Sequence, residues 1–138
     1  MTKKLVSDLC LFAAIALLIH SGVFGGIAWP VIGGNAPFKT YKLSVLIVEE
    51  TSQRTTQLDA IFNAIQTATV AAGGRFQKLD KDQTDLSQDD QWVQDAWKAK
   101  GASVPWLVAA DSRRGVSQAL PTTSAADALK VLSPLGVK

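Results

Sequence analysis

Gly101-Ala102-Ser103-Val104-Pro105-Trp106-Leu107-Val108-Ala109-Ala110-Asp111 is the stretch on which the fold turns. A polar, tryptophan-bearing segment stops at Gly101, and Trp106–Ala110 then runs as a short apolar strand. Pro105 has no N–H to give to a ladder, so it belongs at the first residue of that strand. The Val104-Pro105 bond is also of the only type in which a cis peptide is inexpensive.

Outward from this turn the chain alternates between the periods of strands and helices. Upstream, Leu43 and Val45-Leu46-Ile47-Val48 make a nearly continuous apolar run, which predicts a central strand over Tyr41–Val48 covered on both faces. Glu49-Glu50 ends it. Leu58, Ile61, Phe62, Ile65 and Ala68-Thr69 then recur at helical spacing and predict a helix over Thr51–Ala72. Thr51 or Ser52 is placed to cap its start and Gly73-Gly74 to stop it. Arg75–Asp80 reads as a second strand, parallel to the first through a right-handed crossover. Lys81–Asp90 is a polar loop. Asp89 or Asp90 then caps a short helix through Lys100 that buries Trp92, Val93, Ala96 and Trp97. Downstream of the proline turn, Asp111–Gly115 is a tight polar turn and Val116–Leu120 a strand antiparallel to Trp106–Ala110. Pro121 breaks it, and Thr122–Ser124 caps a last helix with Ala125, Ala128, Leu129 and Leu132 towards the sheet.

The order is therefore β-α-β-α-β-β-α, with an X-Pro at the head of the third strand. In this the chain resembles the thioredoxin-like family. The residues that carry the resemblance are Tyr41–Val48 with the long helix, Gln77–Asp82, Val104-Pro105-Trp106-Leu107-Val108, Asp111–Gly115 and the C-terminal helix, over roughly residues 40–136. Pro105-Trp106-Leu107 through Leu120-Pro121 is also similar to small thioredoxin-like domains of phage and environmental bacterial proteins. The resemblance implies an α/β fold with a mixed sheet flanked by helices, and a cis Val104-Pro105 bond.

The resemblance also exposes a departure. Thioredoxins carry Cys-x-x-Cys between the first strand and the long helix, where the helix N-terminus lowers the thiol pKa. Here that loop is Glu49-Glu50-Thr51-Ser52-Gln53-Arg54-Thr55. Dithiol–disulfide exchange needs a thiolate, so the family's redox chemistry does not carry over, and the domain is read as non-catalytic. Ser52 and Thr55, with no histidine in the domain to activate them, are read as capping groups. In the family, the backbone beside the cis proline pairs with an extended substrate peptide, and that pairing needs no cysteine. The resemblance thus marks Thr51, Ser52, Gln53 and Arg54 on one side, and Ser103, Val104, Pro105 and Trp106 on the other, as a peptide-binding groove. Asp80-x-Asp82-x-x-Asp85 with Asp89-Asp90 invites a calcium reading. An EF-hand loop, however, needs Gly at its sixth position and Glu at its twelfth, where this chain has Asp85 and Gln91. No metal or other cofactor is expected.

The N-terminal segment is of another kind. Between Leu9 and Ile32 there is no Asp, Glu, Lys or Arg. Leu9–Trp29 as a helix is roughly 30 Å long, the thickness of a bilayer core. Residues 1–32 are read as a single transmembrane anchor, with Lys3-Lys4 on the cytoplasmic side and Trp29 at the far interface. Pro30 ends the span. Gly22, Gly25 and Gly26 offer small residues for helix–helix packing and a homodimer through this segment. His20 lies in mid-span without a partner for a relay, and Cys10, the only cysteine, forms no intrachain disulfide. The rival reading is a signal peptide with Leu9–Ile19 as its apolar core, released by cleavage. Residues 33–38 form a linker and 39–138 the folded domain.

Of 14 Lys and Arg and 12 Asp and Glu, Lys3, Lys4 and Asp8 lie in the first 35 residues, which leaves 12 against 11 in the remainder. Nothing there resembles the clustered basic footprint of a nucleic-acid binder. Arg113-Arg114 is read as a solvated turn. The expectation is a membrane-anchored, non-catalytic protein-binding or scaffolding domain outside the cytoplasm. One alternative is a phage- or membrane-associated structural or lysis protein. Another is a redox-related or chaperone-like protein working through a partner's thiols.

Overall fold

A computed structural model describes residues 36–138. The apolar span 9–29 and its proposed dimer face lie outside the described residues. Among the described residues no helix is long and apolar enough to cross a membrane.

The elements in chain order are β1 (Ser44–Glu49), a 3-10 turn (Thr51–Gln53), α1 (Thr56–Ala71), β2 (Arg75–Asp80), α2 (Gln91–Lys98), β3 (Trp106–Ala110), β4 (Gly115–Ala119), α3 (Ala125–Lys130) and a closing 3-10 turn (Ser133–Leu135). They build a mixed α/β fold with one four-stranded sheet in the order β2-β1-β3-β4. β1 pairs parallel with β2 and antiparallel with β3, and β3 pairs antiparallel with β4. The central strand is β1, and all six of its residues are buried. Successive side chains on a strand point to opposite faces, so β1 feeds two cores. Val45 and Ile47 pack with Ile61, Phe62 and Ile65 of α1 and with Ala128 and Leu132 near α3. Leu46 and Val48 pack with Trp92, Val93 and Ala96 of α2. Each of the Val, Leu, Ile and Phe side chains among these contributes about 1.5–3 kcal/mol on burial.

Several boundaries differ from the sequence pattern. β1 begins at Ser44 because Thr40 and Lys42 turn on themselves. The Thr40 Oγ1 donates to the Lys42 carbonyl at 2.8 Å, and Tyr41 is left fully exposed. The expected helix over Thr51–Ala72 is two pieces. The carboxylate of Glu50 accepts from the Ser52 N–H at 3.2 Å and closes the 3-10 turn. Thr55 then caps α1, its hydroxyl accepting from Leu58 N–H at 3.2 Å. α1 ends as anticipated, with Gly73 in the left-handed region at φ 74°. Phe38, at the end of the expected linker, is buried beside Trp92 with ring centroids 6.2 Å apart. Pro37 sits over Gly115, where a Cβ would come 2.0 Å from its ring. The core therefore takes in Phe38, and Pro37 packs at its edge.

Candidate functional site

β1 and β2 deliver their last residues to the same end of the sheet, because Glu49 is opposite Asp80 in their register. β3 starts at that end, since Val48 is opposite Trp106. The turn leading into β3 therefore lies against the turn leading into α1. Val104-Pro105 is cis, as expected. A small hollow of about 60 Å³ separates the two turns, lined by Glu49, Glu50, Gln53, Leu58, Val104 and Pro105.

The eight residues marked from the sequence have different fates here. Gln53, Val104 and Pro105 line the hollow. Thr51 faces β2: its N–H donates to Asp80 Oδ2 at 2.9 Å and its hydroxyl to Glu49 Oε1 at 3.3 Å. Ser52 is held by Glu50, its hydroxyl donating to Oε1 at 2.7 Å. It is the group being capped rather than the cap. Arg54 folds back onto Glu49, its terminal nitrogen against Oε1 and its Nε donating to Oε2 at 3.3 Å. Ser103 is exposed. Trp106 turns inward: its indole N–H donates to Ser117 Oγ at 2.9 Å, and Ser117 in turn donates to the Ala99 carbonyl at 2.6 Å. Its six-membered ring lies against Gly101, where a Cβ would come 2.4 Å from two ring carbons.

Five charged residues outside those eight gather at this end of the sheet. Glu49 is only 2% exposed, so its carboxylate is a buried charge matched by Arg54. Glu50, Asp80 and Asp82 bring carboxylate oxygens within 4.8 Å of one another. Lys81 stands among them, 2.8 Å from Glu50 and 3.1 Å from Asp82. Hydrogen bonds from Thr51, and then from the Asp82 N–H, hold the Asp80 carboxyl down at about 2. The Lys81 and Ser52 hydrogen bonds lower Glu50. Hydrogen bonds to Glu50 and then Asp82 raise Lys81, and the Glu49 hydrogen bond raises Arg54. Glu50 and Asp80 are thus held in their ionised form, and Lys81 and Arg54 supply cations from the same loops.

Neither cysteine nor histidine occurs after His20. The chain matches no family model, no curated protein and no solved structure. The chemistry open to this end of the sheet is therefore argued from its own groups: ionised carboxylates, amides, hydroxyls and free backbone, none of them an activated nucleophile. The backbone offers the clearest opening. Pro105 O accepts from Leu120 N–H at 2.9 Å and is occupied. Ser103 and Val104 stand ahead of the first ladder pair, Val48 with Trp106, and their amide groups take no part in the loop hydrogen bonds among the described residues.

Proposed function

We propose that this chain is a membrane-anchored, non-catalytic thioredoxin-like domain that holds an extended segment of a partner protein against Ser103-Val104-Pro105. The fold reading is supported by the element order, the strand order β2-β1-β3-β4 and the cis X-Pro at the head of β3. The observation that carries the function is the unpaired backbone of Val104 beside a hollow. A peptide laid along it forms main-chain hydrogen bonds by strand addition, and one side chain enters beside Leu58 and Pro105. The hollow itself is too small to hold a small-molecule cofactor, since such sites run to about 300–1,000 Å³. The anchor over residues 9–29 would hold this domain at a membrane, outside the cytoplasm in the orientation that Lys3-Lys4 favours.

The test is selection of peptides from a displayed library against the full chain in detergent micelles. Bound peptides should lose at least about tenfold in affinity to Val104→Glu, which sets a charge against the docking edge, about 1.4 kcal/mol or more. The Lys98→Glu variant, away from the groove, should bind as the parent does. Peptides that bind Val104→Glu as tightly as the parent refute the groove.

A further inference from the structure

The opposite end of the sheet has its own surface. Ser44 is opposite both Arg75 and Ala110, and Ala110 is opposite Gly115. The chain entry Lys39–Lys42, the turn Asp111–Arg114 between β3 and β4, and the end of α1 therefore meet at the start of β1. The last of these is fixed by Arg75 N–H, which donates to Leu43 O at 2.8 Å. Lys39, Lys42, Arg113 and Arg114 are exposed there, and none makes an ion pair among the described residues. The one acid in the turn, Asp111, is engaged, accepting from the Arg113 and Arg114 N–H groups at 2.7 Å each. The two large hydrophobic residues left exposed among the described residues are Tyr41, at 102%, and Val70, at 58%. Tyr41 belongs to the entry segment and Val70 to the last turn of α1, so both lie at this basic end. At the other end of β1, roughly 20 Å away along the strand, stand Glu49, Glu50, Asp80 and Asp82.

Basic side chains mixed with an exposed aromatic and an aliphatic residue are what an anionic membrane surface selects. The chain reaches this end from its long apolar run. Gly33–Pro37 are the only residues between Ile32 and the buried Phe38, a reach of at most roughly 20 Å. We infer that the basic end built from Lys39, Tyr41, Lys42, Val70, Arg113 and Arg114 docks on the anionic headgroups of the bilayer, so that the acidic, groove-bearing end points away from it. This inference rests on the anchor reading, and the experiment separates the two.

The full chain is prepared with Cys10→Ser and one new cysteine carrying an environment-sensitive dye, either Ser112→Cys at the basic end or Gln83→Cys at the acidic end. Each is mixed with phosphatidylcholine vesicles, with or without phosphatidylglycerol. Co-flotation with the neutral vesicles reports the anchor alone. The dye at residue 112 should be quenched by brominated lipid only when phosphatidylglycerol is present, and released by high salt; the dye at residue 83 should remain unquenched. Replacing Lys39, Lys42, Arg113 and Arg114 by Gln should weaken the response several-hundredfold, at about fivefold per charge, and Tyr41→Ser should weaken it further. If flotation on neutral vesicles fails, the anchor reading falls, and salt-sensitive binding to anionic vesicles still supports the docking face. Equal quenching at residue 112 with both lipids, no quenching with either, or quenching that survives the four replacements overturns the proposal.

Discussion

Gly101→Ala is expected to be among the most damaging single-methyl additions in the domain, although nothing about its backbone forbids alanine. The added Cβ would meet Trp106 Cη2 and Cζ3 at 2.4 Å, against 3.4 Å for ordinary contact, so the ring must withdraw by about 1 Å. It has little freedom to do so. Its N–H is bound to Ser117, which is bound to Ala99, and Trp106 is paired with Val48 in the sheet. Overpacking of this kind costs about 1–3 kcal/mol. Losing the indole hydrogen bond as the ring moves adds about 1 kcal/mol. The expected destabilisation is therefore about 2–4 kcal/mol, a drop in the urea midpoint on the order of 1–2 M. Urea unfolding of the full chain in mild detergent, followed by circular dichroism, reads this directly. The decisive comparison is the same substitution in a Trp106→Leu background, where the colliding ring is gone and Gly101→Ala should cost less than about 1 kcal/mol. A loss that is equal in the two backgrounds, or below about 0.5 kcal/mol in the parent, refutes the packing argument.

Arg54→Ala should lower the melting temperature by leaving the buried Glu49 carboxylate without its cation, and much of the loss should return in the Arg54→Ala/Glu49→Leu double variant, read by thermal unfolding. Thr55→Ala should cost about 1 kcal/mol by removing the α1 cap, measured by urea unfolding, whereas Ser52→Ala should cost clearly less because Ser52 caps nothing. Asp80 and Asp127 both hold their carboxyl groups at about 2, Asp127 through Lys130, Ser124 and Thr123. A depressed folded-state pKa stabilises above the ordinary carboxylate value and is lost as pH falls through the folded one. Thermal stability should therefore decline between about pH 4 and pH 2, and less steeply in Asp80→Asn and Asp127→Asn. Insulin disulfide reduction by the full chain should not exceed the uncatalysed rate, and a rate above it would overturn the non-catalytic reading.

Legibility in the sequence followed the strength of local punctuation. β2 and β3 begin and end where the sequence pattern places them, because glycine before Arg75 and proline before Trp106 leave little choice. β1 starts three residues later than its apolar pattern suggests, since the pattern does not register the Thr40–Lys42 hydrogen bonds that turn the chain. The start of α1 is ambiguous in the sequence among Thr51, Ser52 and Thr55, three residues that favour caps within five positions. Glu50 decides it by taking the Ser52 N–H for itself. The site was less legible. Glu49 reads as a charged residue ending an apolar strand, and its burial against Arg54 depends on how the 3-10 turn folds back. Trp106 reads as a groove residue beside Pro105, and its inward turn depends on a contact with Gly101 and a hydrogen bond to Ser117, 11 residues on.

The proposed groove has a consequence for selectivity. Arg54, the one strong cation among the eight marked residues, is engaged with Glu49, and Thr51 and Ser52 are engaged with Asp80, Glu49 and Glu50. These groups would have to break charge-assisted hydrogen bonds to meet a ligand, and such bonds are worth more than neutral ones. What remains for recognition is the free backbone of Val104, the apolar flank of Leu58 and Pro105, and the amide of Gln53. Backbone pairing does not read sequence, and a single apolar pocket reads only one side chain. Discrimination beyond that falls to the surrounding charge, where Glu50, Asp80 and Asp82 outnumber Lys81. The partner segment best matched to this end is extended, carries one modest apolar residue, and has a lysine or arginine nearby. Its binding should weaken with salt.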